Sequence, residues 1–276
     1  MKRNLLTILL GIWSVCNTTG YSEPVRGKHS SADLLIEAGT LQPGQETWLA
    51  VRIQLDDGWH TYWKNPGESG MAPRFSWDLP EGLEVGPAQF TYPARFESDG
   101  IVSFGYEKEA LFLFPLTVSE GVAGDSSVSI GLRASWLVCR ELCLPESARL
   151  ALVIPMGSPT EPDPDVAARF AGARDQLPSS SEGWAVNARR QGREYVLRAQ
   201  PPEGAGPILS AAFLPDQPNL WDYATASVWQ IPGPEGLLKL TVSPLAEETP
   251  EEISGVLVWR GEDAREQAVT LKVPVE

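Results

Sequence analysis

Apolar and polar residues alternate with a period of two along much of the chain, the pattern typical of half-buried β-strands. The clearest alternation covers residues 127–138, and Thr47–Leu55 repeats it. Asn65-Pro66-Gly67 is a turn sequence, so we expect it to end the strand that begins at Trp59. In the first half of the chain the pattern predicts further strands over Trp59–Trp63, Pro73–Trp77, Leu111–Val118 and Arg149–Ile154.

The pattern changes after residue 156. Gly157–Asp165 is rich in Pro, Asp and Ser, which predicts a linker, and Asp165–Gln176 is the only segment that we predict as a helix. Strand patterns separated by Pro and Gly then return over Glu194–Ala199, Ile208–Phe213, Ser227–Gln230, Leu237–Val242, Gly255–Trp259 and Ala268–Val273. We therefore predict an all-β fold of two antiparallel β-sandwich domains, residues 27–157 and 181–276, joined by a linker and short helix over 158–180.

Residues 1–22 have the features of a secretory signal peptide. Lys2 and Arg3 precede the apolar run Leu5–Val15, which is too short to span a bilayer well, and cleavage is expected after Gly20 or Ser22. A membrane anchor is the alternative interpretation of this segment. We expect an exported protein of the periplasm without stable membrane insertion, and its mature form lacks Cys16.

The charge balance narrows the classes of partner. Lys+Arg number 22 against 36 Asp+Glu, a formal net charge of −14. Such a surface repels nucleic-acid backbones and anionic membranes, so we expect neither as a partner. The chain has two His residues, which leaves few ligands for a metal cage.

Cys139 and Cys143 are the two cysteines of the mature chain, and they flank a short loop between two predicted strands. This spacing lets the two sulfur atoms meet as a disulfide in an oxidising compartment. Three interpretations stay open at this point: an exchangeable redox pair, a structural staple, and a soft Cu(I) site completed by His60 and Met71. We expect no cofactor and no resident metal.

Three motifs in order carry a resemblance to a known family. They are LDDGWHTYWKNPGESGMA at Leu55–Ala72, Gly105-Tyr106-Glu107, and WLVCRELCLP at Trp136–Pro145. Together they resemble the N-terminal periplasmic domain of the DsbD thiol:disulfide interchange family, in particular its ScsB-like branch. The resemblance covers residues 30–155 and continues more weakly through 211–215 and 255–258.

The resemblance implies an immunoglobulin-like redox domain that relays electrons from a membrane-embedded thiol reductase to periplasmic thioredoxin-like proteins. It implies Cys143 as the attacking sulfur and Cys139 as the resolving one, in thiol:disulfide interchange of the protein-disulfide reductase type. Cytochrome c maturation, disulfide isomerisation and copper tolerance are the processes such a relay serves. Family members continue into a membrane domain, whereas this sequence ends at Glu276, so we expect a separate membrane reductase.

The family also has a cap loop over its cysteine pair, with an aromatic residue and acidic neighbours. Phe96, Glu97 and Asp99 are the candidates here, and at least one of the two acids is expected to be a solvated turn residue. A docking surface is expected among Trp59, His60, Tyr62 and Trp63, with at least two of the Trp59, Tyr62 and Trp63 rings packed in the core. For the second domain we expect a scaffolding or partner-docking role. Copper binding through the same thiols, and a non-catalytic interaction module with a structural disulfide, are the alternative functions.

Overall fold

A computed structural model describes residues 20–122, 127–225, 236–262 and 265–276. Within these residues the chain forms eighteen strands and one helix, and no helix is long and apolar enough to cross a bilayer. The elements are β1 Val25–Arg26, β2 Ser30–Ile36, β3 Glu46–Leu55, β4 His60–Gly67, β5 Arg74–Asp78, β6 Leu83–Val85, β7 Gln89–Phe90, β8 Ala94–Ser98, β9 Ile101–Glu107, β10 Glu109–Val118, β11 Ser127–Cys139, β12 Cys143–Pro155, α1 Pro164–Asp175, β13 Ala185–Gln191, β14 Glu194–Gln200, β15 Ser210–Pro215, β16 Gly236–Thr241, β17 Glu252–Arg260 and β18 Glu266–Pro274.

Two antiparallel sheets over residues 25–155 form what we call the N-terminal sandwich. One sheet has the order β1-β2-β3-β10-β6, with β7 also on β10, and the other has the order β12-β11-β4-β9-β8, with β5 also on β11. The alternation predicted for residues 127–138 is confirmed, because Ile130, Leu132, Ala134 and Trp136 all point into the core. The all-β sandwich class is therefore confirmed.

The prediction that Asn65-Pro66-Gly67 ends a strand is wrong. Strand β4 runs through all three residues, and its register against β9 shifts between Tyr62 and Gly67. Gly67 has φ +87° and no room for a Cβ, which would lie 2.5 Å from the Val102 carbonyl oxygen. The turn residues thus produce a bulge inside the strand, since the flanking residues still find partners on β9.

The helix predicted within the linker is confirmed, and it packs on the N-terminal sandwich. Asp163 caps it by accepting hydrogen bonds from the Asp165 and Val166 amides, and Pro164 occupies its first turn. Its buried side chains cover the outer face of the β2-β3-β10 sheet, and burying Phe170 fully contributes on the order of 2 kcal/mol. The apolar cluster formed there comprises Leu35, Ala50, Leu111, Leu113, Val166, Phe170 and Ala173.

Residues 185–274 form two further three-stranded sheets, β13-β14-β16 and β15-β17-β18, which we call the C-terminal sandwich. The five predicted strands that fall on described residues are confirmed, with their ends shifted by at most three residues. Ser227–Gln230 lies outside the described residues. Strand β13 has no strong alternation in the sequence and was missed, because only two of its side chains are even partly buried.

Asn65 joins the two sandwiches. Its buried side-chain amide donates to the Pro215 carbonyl at 2.7 Å and to the Tyr223 hydroxyl at 3.0 Å. Its side-chain oxygen accepts from the Gly67 amide, which also holds the bulge in β4. Lys64 forms an ion pair with Asp216 beside these bonds, so the strand that carries the WHTYW motif is anchored in the C-terminal sandwich.

Candidate redox site

The two cysteines close the longest strand pair among the described residues. Strands β11 and β12 pair without interruption from Ser127 opposite Pro155 to Cys139 opposite Cys143. Side chains alternate between the two faces of this pair, and both cysteines fall on the face away from the sandwich core. Their sulfur atoms are bonded at 2.02 Å, with a Cα–Cα distance of 4.2 Å.

The two sulfur positions differ in accessibility. Cys139 is buried, with 8% of its surface exposed, whereas Cys143 is exposed. An attacking thiol must approach one particular sulfur atom of a disulfide, so access selects Cys143. Arg140, Glu141 and Leu142 form the exposed loop between the two cysteines, and 73% of Leu142 is exposed.

The Tyr62 hydroxyl contacts the accessible sulfur. Its hydroxyl lies 3.2 Å from Cys143 Sγ, and it is the donor because a disulfide sulfur has no proton. Burial raises the pKa of Tyr62, and a hydrogen bond with Ser69 offsets part of that rise, so the phenol stays protonated. Gly70 packs against the ring: a Cβ there would lie 2.2 Å from Tyr62 Cε1.

His60 on β4 pairs in register with Cys139 on β11 and, on the other side of β4, with Glu107 on β9. Its ring stacks on Phe96, with centroids 5.0 Å apart, and meets the Tyr62 ring edge-on at 5.3 Å. Burial lowers the pKa of His60, and the Glu107 carboxylate offsets part of this effect. A neutral imidazole therefore lies beside the disulfide at neutral pH.

The segment predicted as a cap loop is a β-hairpin. Strands β8 and β9 pair through Ser98 and Ile101, and Asp99 and Gly100 form the turn with φ +52° and +79°. Two consecutive positive φ values are typical of a two-residue hairpin turn, which an Asp-Gly sequence favours. The loop prediction missed this because strand β8 has little buried surface and no alternation for the sequence to show.

The three predicted cap residues have different surroundings. Phe96 reaches the site through its stack on His60. Glu97 forms an exposed ion pair with Arg95 on the same strand at 2.8 Å, and Asp99 is exposed at the turn. Arg95 also donates to the Tyr223 backbone carbonyl at 3.4 Å, which ties the base of the hairpin to the C-terminal sandwich.

The predicted docking residues divide between surface and core. Trp63 is fully buried against Phe104, so it offers no surface to a partner. Tyr62 is buried, and its hydroxyl contacts Cys143 Sγ. Trp59 is half-buried and stacks on His29 with centroids 3.7 Å apart. His60 and Trp59 are thus the residues of this group that remain partly exposed.

Glu146 is a site-supporting residue that sequence reasoning missed. Its buried carboxylate accepts hydrogen bonds from the Lys28 and His29 amides at 3.1 and 2.7 Å, and from the Ser30 hydroxyl. These bonds fix the turn whose His29 ring stacks on Trp59. The signal was available, because the alternation of β12 places this acid on the buried face.

No metal centre accompanies the disulfide within residues 20–122, 127–225, 236–262 and 265–276: no group of three or more His, Cys, Asp and Glu side chains is arranged there to hold an ion. Met71, an optional further ligand in the Cu(I) hypothesis, is exposed and contacts Arg74 Nη2 through its sulfur at 3.9 Å. The arrangement is a shielded disulfide with one accessible sulfur.

Comparison with solved structures supports the fold. The crystal structure of the N-terminal periplasmic domain of ScsB from Proteus mirabilis superposes with a TM-score of 0.67 at 18% identity, over 93% of this chain and 99% of that chain. The reduced N-terminal domain of DsbD from Neisseria meningitidis aligns with 47% of this chain and 90% of its own at 17% identity, but its TM-score of 0.27 is too low to support an inference. No curated protein sequence matches the chain.

The sequence itself matches a family over the N-terminal sandwich. Residues 32–155 match the family described as thiol:disulfide interchange protein DsbD, N-terminal. The match includes the paired cysteines, the WHTYW strand and the hairpin of Phe96. Residues 32–155 therefore belong to the DsbD N-terminal domain family, which is of the thiol:disulfide interchange type, and Cys139 and Cys143 within them are joined as a disulfide.

Proposed function

We propose that this protein is a periplasmic thiol–disulfide exchange protein. Its Cys139–Cys143 pair would relay electrons from a membrane-embedded thiol reductase to thioredoxin-like partners. The observation that carries this proposal is the division of the pair into a buried sulfur and an accessible one beneath a shield of Tyr62, His60 and Phe96. A bridge that served only as a staple would need neither the shield nor the division.

The proposed exchange balances in two steps. In the reduced protein, the Cys143 thiolate attacks a partner disulfide, which forms a mixed disulfide and releases one partner thiolate. The Cys139 thiolate then attacks Cys143 Sγ, which restores the Cys139–Cys143 bond and releases the second partner thiolate. Two electrons leave the protein, the partner dithiol takes up two protons, and the membrane reductase restores the dithiol by the reverse sequence.

The surroundings of the pair support selective rather than indiscriminate exchange. A cysteine at the end of a β-ribbon has no helix N-terminus to depress its pKa, so reactivity depends on the neighbouring side chains. The Tyr62 hydroxyl is the group placed to donate to a Cys143 thiolate. Phe96, on the β8–β9 hairpin, stacks on His60 of β4, which pairs with Cys139 in register. A partner that displaces this hairpin would uncover His60 beside the pair.

The redox equilibrium of the purified mature protein tests this proposal. Thiol-trapping gel shifts across a dithiothreitol or glutathione series are expected to show two thiols titrating together, with a potential above about −300 mV. A bridge that resists reduction until the protein unfolds would identify a staple and overturn the proposal. Replacement of both cysteines by Ser supplies the unreactive control.

Trapping variants test the assigned roles of the two sulfur atoms. Cys139→Ser is expected to accumulate mixed disulfides through Cys143, because no second thiol remains to resolve them. Cys143→Ser is the matched control, and its buried Cys139 should trap little. The opposite distribution would reverse the assignment of attacking and resolving sulfur.

A Cu(I) titration of the reduced protein separates exchange from metal delivery. We expect no tight stoichiometric binding that depends on His60, because its ring is stacked on Phe96 and Met71 contacts Arg74 rather than the pair. Tight binding that is lost in His60→Ala would favour copper binding instead. Cytochrome c maturation, disulfide isomerisation and copper tolerance are the processes in which we propose that the reduced partners act.

A further inference from the structure

The outer face of strands β5, β11 and β12 carries a regular array of arginine and serine side chains. Ser76, Arg133 and Arg149 lie in one row across the three strands, because Arg133 pairs with both others in register. The next row, by the same register, consists of Arg74, Ser135 and Ser147. All six residues are exposed, and they line an open groove of about 480 Å³, which we call the arginine groove.

Folding alone does not account for this array. Arg133 and Arg149 lie directly opposite each other, and like charges in that position destabilise a strand pair. Neither forms an ion pair with any residue in the described parts of the chain, although the sequence has a net charge of −14. Three arginines without carboxylate partners among the described residues leave their guanidinium groups available to an acidic group from outside.

The groove lies on the same face of the same strand pair as the disulfide. Arg133 precedes Cys139 by six residues on β11, and Arg149 follows Cys143 by six residues on β12. At a rise of about 3.3 Å per residue, the arginine row is about 20 Å from the disulfide. A thioredoxin-sized partner that engages Cys143 is wide enough to cover both.

We propose that the arginine groove is a docking surface for an acidic segment of the redox partner that engages Cys143. The inference rests on the proposed exchange function and identifies the chemistry of its partner. Guanidinium groups and serine hydroxyls present hydrogen-bond donors, and arginine binds carboxylates through paired hydrogen bonds. The rest of this acidic surface repels an acidic partner, so the groove fixes where such a partner docks.

Synthetic peptide thiols test this inference with the full mature protein. The acidic probe has an N-terminal Cys, a Gly-Ser spacer of about four residues, and a run of Glu. An extended peptide spans about 3.3 Å per residue, so the Glu run reaches the groove when the Cys is at Cys143. A second probe has Gln in place of Glu. Each peptide thiolate attacks Cys143 Sγ and expels the Cys139 thiolate, and a second peptide thiol then releases the peptide disulfide and leaves the protein dithiol.

At low salt the acidic probe is expected to reduce the protein about tenfold faster than the Gln probe, and this advantage should shrink at high salt. The double substitution Arg133→Glu with Arg149→Glu should remove the advantage and leave reduction by dithiothreitol unchanged. The matched control is Arg190→Glu with Lys239→Glu, which makes the same change in net charge at exposed positions of β13 and β16 in the C-terminal sandwich. It should retain the advantage.

Equal rates for the two probes, or equal losses in the two double variants, would overturn the inference. Two other outcomes would also overturn it, each with the preference of the groove variant for the acidic probe unchanged. In one, the groove variant loses binding to phosphatidylglycerol vesicles; in the other, it changes its self-association in sedimentation. Reduction by dithiothreitol separates the two levels of inference. A folded protein that neither probe nor dithiothreitol reduces contradicts the proposed function, whereas reduction without acidic preference contradicts only the groove.

Discussion

The Tyr62 hydroxyl lies 3.2 Å from Cys143 Sγ, although 81 residues separate the two along the chain. Strand β4 brings the tyrosine to the end of the β11–β12 ribbon, where His60 of β4 pairs in register with Cys139 of β11. The accessible sulfur of the pair therefore faces a buried, protonated phenol.

Tyr62→Phe is expected to raise the pKa of the Cys143 thiol by about 1 unit in the reduced protein. The reason is that a hydrogen bond to a thiolate contributes roughly 1.5 kcal/mol, and Phe cannot donate it. The pH dependence of the iodoacetamide reaction, measured in a Cys139→Ser background, gives this pKa. Tyr92→Phe, which changes a half-buried tyrosine elsewhere, should leave the profile unchanged, and an unchanged profile in Tyr62→Phe would remove the phenol from the site.

Gly70→Ala is expected to move the Tyr62 ring away from Cys143 and so to increase access to its sulfur. Its φ of +106° disfavours any side chain, and the new Cβ would lie 2.2 Å from Tyr62 Cε1, so the ring must move. We expect a loss of about 2 kcal/mol or more in the free energy of unfolding, together with faster reduction by dithiothreitol. Urea unfolding and thiol trapping measure the two effects.

Gly100→Ala is the matched control for this substitution. Gly100 has φ +79°, and a Cβ added there would meet no heavy atom within 4 Å, so it reports the backbone strain without the contact. A cost of about 1 kcal/mol is expected there, with an unchanged reduction rate. If the two alanine variants behaved alike, the packing of Gly70 on Tyr62 would not control access to the sulfur.

His60 should make the free energy of unfolding depend on pH. Burial lowers its pKa in the folded protein, so between the folded and unfolded pKa values the unfolded chain binds more protons. Its contribution to stability is therefore fully present above about pH 6.5 and is lost as the pH falls toward the lowered folded value. Urea unfolding between pH 5 and pH 7.5 should show a smaller pH slope in His60→Gln than in the unaltered protein; equal slopes would contradict this.

Asn65→Ala is expected to lower the free energy of unfolding by about 2–3 kcal/mol, because it leaves buried partners in both sandwiches unsatisfied. It should also separate the unfolding of the two sandwiches into two transitions, which calorimetry and urea unfolding can resolve. Asn187→Ala, at an exposed position of β13, is the control and should change neither. A single unaltered transition in Asn65→Ala would show that this side chain does not couple the sandwiches.

Deletion of residues 178–276 tests the proposed role of the C-terminal sandwich more broadly. Arg95 and Asn65 connect that sandwich to the β8–β9 hairpin and to β4, so we expect the deletion to lower the rate at which partners are reduced. The rate of exchange with a thioredoxin-like domain is the measurement. An unaffected rate would contradict a scaffolding or docking role.

Local pattern predicts the strands and the cysteine ribbon well, since alternation in residues 127–138 follows directly from one buried face. It fails where tertiary contacts decide the outcome. The Asn-Pro-Gly sequence favours a turn when only local residues are considered. In the structure the Asn65 side chain has buried partners in the other sandwich, and β4 continues through all three residues. Strand β8 pairs with β9 but buries little side-chain surface, so its sequence has no apolar alternation from which it could be predicted.

The motifs predict where the cysteines lie, because they are at the facing ends of two alternating strands. Phe96 was expected near the pair from the family resemblance, and its role as a cap stays a prediction. The hydroxyl of Tyr62 at Cys143 and the role of Gly70 depend on the register between β4 and β11, which no local pattern encodes. The burial of Glu146, by contrast, can be predicted from the sequence. The alternation of β12 places this acid on the buried face, so a check for acids at inward-facing positions finds it.

The uninterrupted pairing of β11 with β12 holds the two strands together over twelve residue pairs beyond the cysteines. Breaking the sulfur–sulfur bond therefore leaves the cysteine backbones as neighbours. The two thiols then meet at a high effective concentration, so closing the bond again needs little reorganisation of the chain. Such a scaffold can pass through many rounds of oxidation and reduction without refolding between them.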